Sequence, residues 1–246
     1  MQNSVELLEK KYKEIKEIGF HKSINNYKNS GGMTLEKLLN SSGGDFNIPD
    51  FYDIEIKAIH NNFNKHIDLF SSAPDGSIIN ATKWISQEYG YPDRNYPNVK
   101  VLKGDIFANK LSMIGNRYLF RIKIDTIKEK IILEVLDHEL HLLNNDLYWD
   151  FDSIKDKLIR KLSKLAIFYF EKKWINNELY FNYNKLNIYE LISFDKFIEC
   201  LKNGYVYMVF KTGVVKKGIH NGEFKNHGTS FRISVDKIHY LFNKIR

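Results

Sequence analysis

Apolar residues recur at helical spacing between Ser4 and Phe20. Val5, Leu8, Tyr12, Ile15 and Ile18 share one face, and Gly19 closes the segment. Asn29-Ser30-Gly31-Gly32 reads as a turn. A short helix follows over about 34–40, with Thr34 as its N-cap and Leu35, Leu38 and Leu39 inward, and Ser41-Ser42-Gly43-Gly44 breaks it. Period-two alternation then predicts a strand over 53–59. Residues 71–110 are rich in Asn, Pro, Gly and Ser, with a helix over about 79–88 and a long irregular stretch over 89–103. Strands over 118–125 and 131–136, and a third near 139–143, predict an antiparallel meander. Asp152-Ser153 caps a helix that places Ile154, Leu158, Leu162, Leu165 and Phe168 on one face. A strand over 179–183 and a helix from Ser193 through Cys200 come next. Strands over 206–211 and 229–235 flank a basic loop over 213–228. Helices mixed with antiparallel strands give an α/β or α+β class.

Composition adds the scale of the core and the compartment. Hydrophobic residues make up 43% of the 246 and aromatics 14%, enough for a sizeable core and against global disorder. One cysteine, Cys200, excludes an internal disulfide and a multi-cysteine zinc site. Met1 leads into a charged amphipathic stretch, and no apolar run approaches the roughly 18 residues of a membrane span. The expectation is a cytoplasmic protein with no membrane partner. Charge is uneven. Residues 201–246 hold nine Lys/Arg against Glu223 and Asp236, while the first 200 residues balance 28 bases with 28 acids. The whole net charge of +7 therefore sits in the C-terminal segment, the footprint of a polyanion binder.

Two stretches carry candidate chemistry. In Pro49-Asp50-Phe51-Tyr52-Asp53-Ile54-Glu55-Ile56-Lys57, Glu55 and Lys57 are two apart and share one face of a strand. Ile54 and Ile56 face the core, and Asp50 or Asp53 adds a second carboxylate. Carboxylates beside an ammonium suit a metal-dependent phosphodiesterase, which needs oxygen ligands for a hard cation and an activated water. The bland alternative is an amphipathic edge strand with a solvent-facing charged stripe. Lys225-Asn226-His227-Gly228-Thr229-Ser230-Phe231-Arg232 combines donors of several shapes. Arg reads the guanine O6/N7 edge, and His, Asn, Thr and Ser reach other edges or phosphates. Lys211, Lys216 and Lys217 read as phosphate contacts. His138-Glu139-Leu140-His141 is one residue short of the zinc-binding His-Glu-x-x-His helix. No phosphate loop, dinucleotide fingerprint or nucleophile elbow is present, so no nucleotide cofactor is indicated.

Thr34-Leu35-Glu36-Lys37-Leu38-Leu39 and the Pro49–Lys57 stretch resemble the active-site region of the MvaI/BcnI family of type II restriction endonucleases. The resemblance continues through Leu147-Tyr148-Trp149-Asp150-Phe151-Asp152-Ser153 to His227-Gly228-Thr229-Ser230-Phe231-Arg232-Ile233, nearly the whole chain. It implies a PD-(D/E)xK restriction-endonuclease-like fold, a central mixed sheet flanked by helices. A catalytic lobe is expected mainly in 1–145 and a DNA-recognition lobe mainly in 146–246. It implies double-stranded DNA as substrate, Mg²⁺ as cofactor with Mn²⁺ as a substitute, and a monomer that nicks each strand in turn. A cognate DNA methyltransferase is expected as a genetic companion, not a bound subunit.

Asp50, Glu55 and Lys57 match the family's catalytic positions, which favours Asp50 over Asp53. Glu36 matches a helical glutamate that supports the metal's water shell. Asp50, Glu55 and the Ile56 carbonyl are the expected metal ligands, and Lys57 orients or helps deprotonate the attacking water. His227 and Arg232 match base-facing positions, and Lys211, Lys216, Lys217, Lys225 and Thr229 complete the expected DNA contacts. Lys211 stands where an arginine is expected, and Val209 where an acid is. The implied targets are short GC-rich near-palindromes of the CCNGG type. The rival readings are a mismatch-repair-type nickase with the same chemistry and a non-catalytic DNA-binding module.

Overall fold

The alternation around Glu55 does build a strand, Ile54–His60. It runs parallel to Lys164–Ile175, with Leu165 opposite Glu55 and Ile167 opposite Lys57. The structure, a computed structural model, describes residues 3–27, 29–41, 48–61 and 66–246. It contains two compact units. The first comprises Met1–Ile67, Lys157–Ser193 and Val235–Arg246; the second comprises Asp68–Asp156 and Phe194–Ser234. Both units are discontinuous in sequence.

In the first unit the sheet order is Phe20–Lys22, Glu178–Leu191, Lys164–Ile175, Ile54–His60, with Phe242–Lys244 also pairing Glu178–Leu191. Its mixed character comes from the one parallel pair; the other pairs are antiparallel. Helix Ser4–Ile18 starts where the Asn3 side chain accepts the Val5 N–H at 3.1 Å and stops at Gly19 with φ 80°. It buries Val5, Leu8 and Ile15 against Leu35, Ile54, Ile56 and Phe168. Ile18, expected on the same face, is the last helical residue and is 70% exposed.

Two expectations fail in this unit for identifiable reasons. Gly31 and Gly32 are not a turn. They lie in the first turn of helix Ser30–Leu39, so Thr34 is interior and not the N-cap. A Cβ on Gly31 would sit 2.6 Å from the Phe170 ring, and the Gly31 carbonyl accepts the Tyr183 hydroxyl at 2.6 Å. The glycine serves close approach of two aromatic rings, not a reversal of the chain. The helix ends at Asn40 in the left-handed region; Ser42, Gly43 and Gly44 of the expected break lie outside the described residues. The second failure is the helix from Asp152. It stops at Leu162, and Leu165 and Phe168 belong to the long strand Lys164–Ile175. Their spacing fits a helix, but Ala166-Ile167-Phe168-Tyr169-Phe170 is apolar on both faces and gains a partner strand on each edge. This strand returns as Glu178–Leu191 through Asn176-Asn177, both at positive φ, a tight hairpin turn.

In the second unit the expected meander is present. Tyr118–Asp125 pairs antiparallel with Lys130–Leu136, and Leu142–Asn144 and Tyr148–Asp150 pair the latter. His138 to His141 form a turn whose Asp137 carboxylate accepts the Glu139 and His141 N–H groups, not a metal-binding helix. The C-terminal strands are longer than expected. Val206–Val214 pairs with Phe224–Ser234, so Lys225, Asn226 and His227 lie on a strand and only residues 215–223 form the loop. Lys103–Ile106 pairs with the outer edge of Val206–Val214 and sets Asp105 opposite Val209. Among the described residues no helix is long and apolar enough to cross a membrane.

Candidate active site and nucleic-acid interface

The Glu55-Lys57 face is not a solvent-facing stripe. The Glu55 side chain is 1% exposed, although Lys57 beside it is half-buried. Lys57 Nζ donates to Glu55 Oε1 at 2.6 Å, and Lys161 Nζ lies 3.5 Å from the same oxygen. Glu55 Oε2 is buried without a hydrogen-bond partner among the described residues. A buried carboxylate oxygen left this way costs on the order of 1–3 kcal/mol or more, unless something outside the protein satisfies it. Asp50 Oδ2 accepts the Ile56 N–H at 2.9 Å, which ties the preceding turn to the strand edge. A strand residue turns its N–H and C=O to the same edge, so the Ile56 carbonyl faces the edge where Asp50 sits. Asp53 is engaged elsewhere. It pairs with Lys164, and its carbonyl accepts the Ser163 hydroxyl. The geometry thus brings Asp50, Glu55, Ile56 and Lys57 together and leaves Asp53 aside.

The charges form one coupled set. Burial pushes the Glu55 carboxyl up, Lys57 pulls it down and Asp50 pushes it up, and the net shift is upward. Burial and then the Asp50 charge raise Glu36, against the pull of Lys57. Glu36, on helix Ser30–Leu39, therefore shares the field of Asp50 and Lys57. Burial opposes ionisation of Asp53, but Lys164 and Ser4 hold its carboxyl below the usual range. Among the described residues no group of three or more His, Cys, Asp or Glu forms a ready-made metal cage. Two carboxylates, one carrying an unpaired buried oxygen, and a carbonyl fit Mg²⁺, which keeps several waters and takes few protein ligands.

This arrangement predicts a stability signature without added metal. The folded state holds the Glu55 proton more tightly than the unfolded chain does. Its contribution is fully present below the ordinary Glu range and is lost as pH rises through the raised native value. Glu55→Gln mimics the protonated form. In a chelator its thermal midpoint lies above that of wild type at neutral pH and converges with it in acid. Thermal melts from acid to neutral pH check this; a lower midpoint for the variant at neutral pH contradicts it.

The second unit gathers the basic candidates around a cavity of 590 Å³ lined by Lys103, Asp105, Val209, Lys211, His227 and Arg232, among others. Asp68 organises its cations. Lys211 Nζ lies 2.6 Å from Asp68 Oδ2, Arg232 Nε donates to Oδ1 at 2.8 Å, and Ser230 Oγ reaches Oδ1 at 3.3 Å. Partial desolvation and the charges of Lys225, Lys211 and Lys103 hold His227 below the usual histidine range. At neutral pH its ring is neutral and offers one donor and one acceptor. Lys216, Lys217 and Lys225 are exposed. The Lys211 ammonium is already paired with Asp68. Thr229 is 1% exposed, whereas His227 on the same strand is exposed.

Sequence reading missed Lys161, Asp68 and Asp105. Lys161 lies 106 positions from Glu55 and Asp68 lies 164 from Arg232, so no local pattern joins them. Asp105 is two residues from Lys103 on a short strand, just past the stretch read as irregular.

The model of the MvaI/BcnI restriction endonuclease family matches residues 9–242. No curated protein matches. Solved structures are similar as well. A restriction endonuclease MvaI–cognate DNA substrate complex has a TM-score of 0.90 at 27% identity, covering 99% of this chain and 98% of that one. Restriction endonuclease MvaI in the absence of DNA has a TM-score of 0.63 at 27% identity, covering 99% and 97%. The sheets and helices described above form a restriction-endonuclease-like mixed fold, and with the match over nearly its whole length the chain belongs to the MvaI/BcnI restriction endonuclease family.

Proposed function

We propose that this family member is a Mg²⁺-dependent type II restriction endonuclease that hydrolyses double-stranded DNA at a short GC-rich near-palindrome of the CCNGG type. It acts as a monomer that nicks each strand in turn, in the cytoplasm, with a separate methyltransferase protecting host DNA. The observation that carries the catalytic reading is the Asp50–Glu55–Lys57 constellation, with one buried Glu55 oxygen unpaired. Asp50, Glu55 and the Ile56 carbonyl would hold the metal. Bound Mg²⁺, or Mn²⁺ in its place, supplies charge neutralisation and polarisation of the phosphate. Lys57, anchored on Glu55, orients the attacking water, helps to take up its proton and balances charge at the phosphate. Water forms the new P–O bond as the bond to the 3′ oxygen breaks. Glu36 supports the surrounding water shell.

Arg232 and His227 are the base readers in this proposal, and Lys216, Lys217 and Lys225 meet the backbone. Supercoiled plasmid incubated with Mg²⁺, with a chelator as control, tests the whole reading when the product ends are sequenced. Linear products with one recurring end sequence are expected, after a transient nicked circle. Nicked circles that never linearise point to the nickase. Salt-sensitive binding with no cleavage in Mg²⁺ or Mn²⁺ points to the binding module.

A further inference from the structure

The cavity in the second unit is basic, yet its lining contains an acid. Among the described lining residues, Asp105 is the acid beside Lys103, Lys211, His227 and Arg232. It differs from Asp68, whose carboxylate is occupied by three donors. The Asp105 side chain is 46% exposed, and its ion-pair contact is Arg232 Nη1 at 4.0 Å, beyond hydrogen-bonding reach. Asp68 takes the Arg232 Nε–H and leaves the far side of the guanidinium turned toward Asp105. Asp105 is fixed on strand Lys103–Ile106, opposite Val209, whose apolar side chain offers it no donor.

An ionised carboxylate repels phosphate, so a backbone contact does not account for Asp105. It accepts hydrogen bonds only. In the major groove cytosine presents an amino donor, and its partner guanine presents the O6/N7 acceptors on the same pair. Adenine also presents an amino group, but beside its N7 acceptor, which faces a carboxylate unfavourably. A fork of donors next to an acceptor-only group therefore complements one G·C pair. Resting on the reading of this protein as a sequence-specific nuclease, we propose that Asp105 is a specificity-determining residue that accepts from cytosine N4, while Arg232 reads the paired guanine.

The test separates binding from cleavage. Wild type, Asp105→Asn and Asp105→Ala each select sequences from a random duplex library in a chelator. Plasmid cleavage with Mg²⁺ runs alongside. Wild type is expected to enrich a motif with fixed G·C pairs. Both variants weaken the preference for C over T at one pair by roughly 5- to 150-fold, leaving there only what Arg232 supplies through the guanine, and keep the other positions. In a second arm the wild-type motif carries 2-pyrimidinone, which lacks the amino group, at that position. Wild type weakens by a similar factor and Asp105→Ala does not respond. No enriched motif, an unchanged motif in the variants, or a uniform loss across all sequences overturns the proposal. Selective binding that behaves as proposed, with no plasmid cleavage, overturns only the catalytic reading.

Discussion

Lys57→Ala is expected to bind target DNA nearly as well as wild type in a chelator but to cut it about 10²- to 10⁴-fold more slowly with Mg²⁺. Lys57 is two residues from Glu55 on strand Ile54–His60 and 2.6 Å from its carboxylate, so its Nζ is fixed at the site and not swept through solvent. In the proposed mechanism the loss would fall on the chemical step, because the charge Lys57 would balance develops as water attacks phosphorus. The fold tolerates the change. Lys161 remains 3.5 Å from Glu55 Oε1, and the raised Glu55 carboxyl takes a proton more readily once Lys57 is gone. Asp50→Ala behaves similarly, with the added loss of the Ile56 N–H contact. Single-turnover cleavage set beside equilibrium binding and a thermal melt checks the set. Near wild-type cleavage by Lys57→Ala removes it from the site; parallel loss of binding and folding assigns it a structural role.

What the sequence displayed and what it hid follow one physical division. Period-two alternation put Glu55 and Lys57 on one face because that relation is local to a strand. The same logic found Tyr118–Asp125 and Lys130–Leu136, where pairing follows a short turn. It failed at Leu165 and Phe168, whose spacing suits a helix, because a parallel neighbour over a hundred residues earlier decides the matter. It failed at Gly31, where the glycine answers to Phe170 and Tyr183. The choice between Asp50 and Asp53 was likewise invisible to spacing. It turns on which carboxylate meets the Ile56 N–H and which meets Lys164. Burial of Glu55 needs cover that no local pattern predicts. In the second unit, strand alternation gives Arg232 and Thr229 different fates: one lines a cleft and the other is sealed inside.

Arg232→Ala is expected to weaken binding to the target by roughly 5- to 150-fold, about 1–3 kcal/mol, and to relax one guanine position. Binding to unrelated duplex falls much less. The reason lies in how Arg232 is held. Asp68 takes its Nε–H at 2.8 Å and shares its charge with Lys211, so a large part of the local positive field is already neutralised before DNA arrives. A cation so compensated is poorly suited to counterion release but well suited to directional hydrogen bonding from a fixed fork. Salt dependence separates the two roles. Arg232→Ala leaves the slope of log K against log salt close to wild type, while Lys216→Ala and Lys217→Ala, if each meets one phosphate, lower it by about 0.9 apiece with little change in sequence preference. Arg232→Lys does not rescue the guanine preference, since an ammonium cannot hold Asp68 and offer a planar pair of donors at once. Binding to target and scrambled duplexes across a salt series decides the matter. A slope reduced by about one for Arg232→Ala, with equal losses on both duplexes, places Arg232 on the DNA backbone and moves base reading to other residues of the cleft.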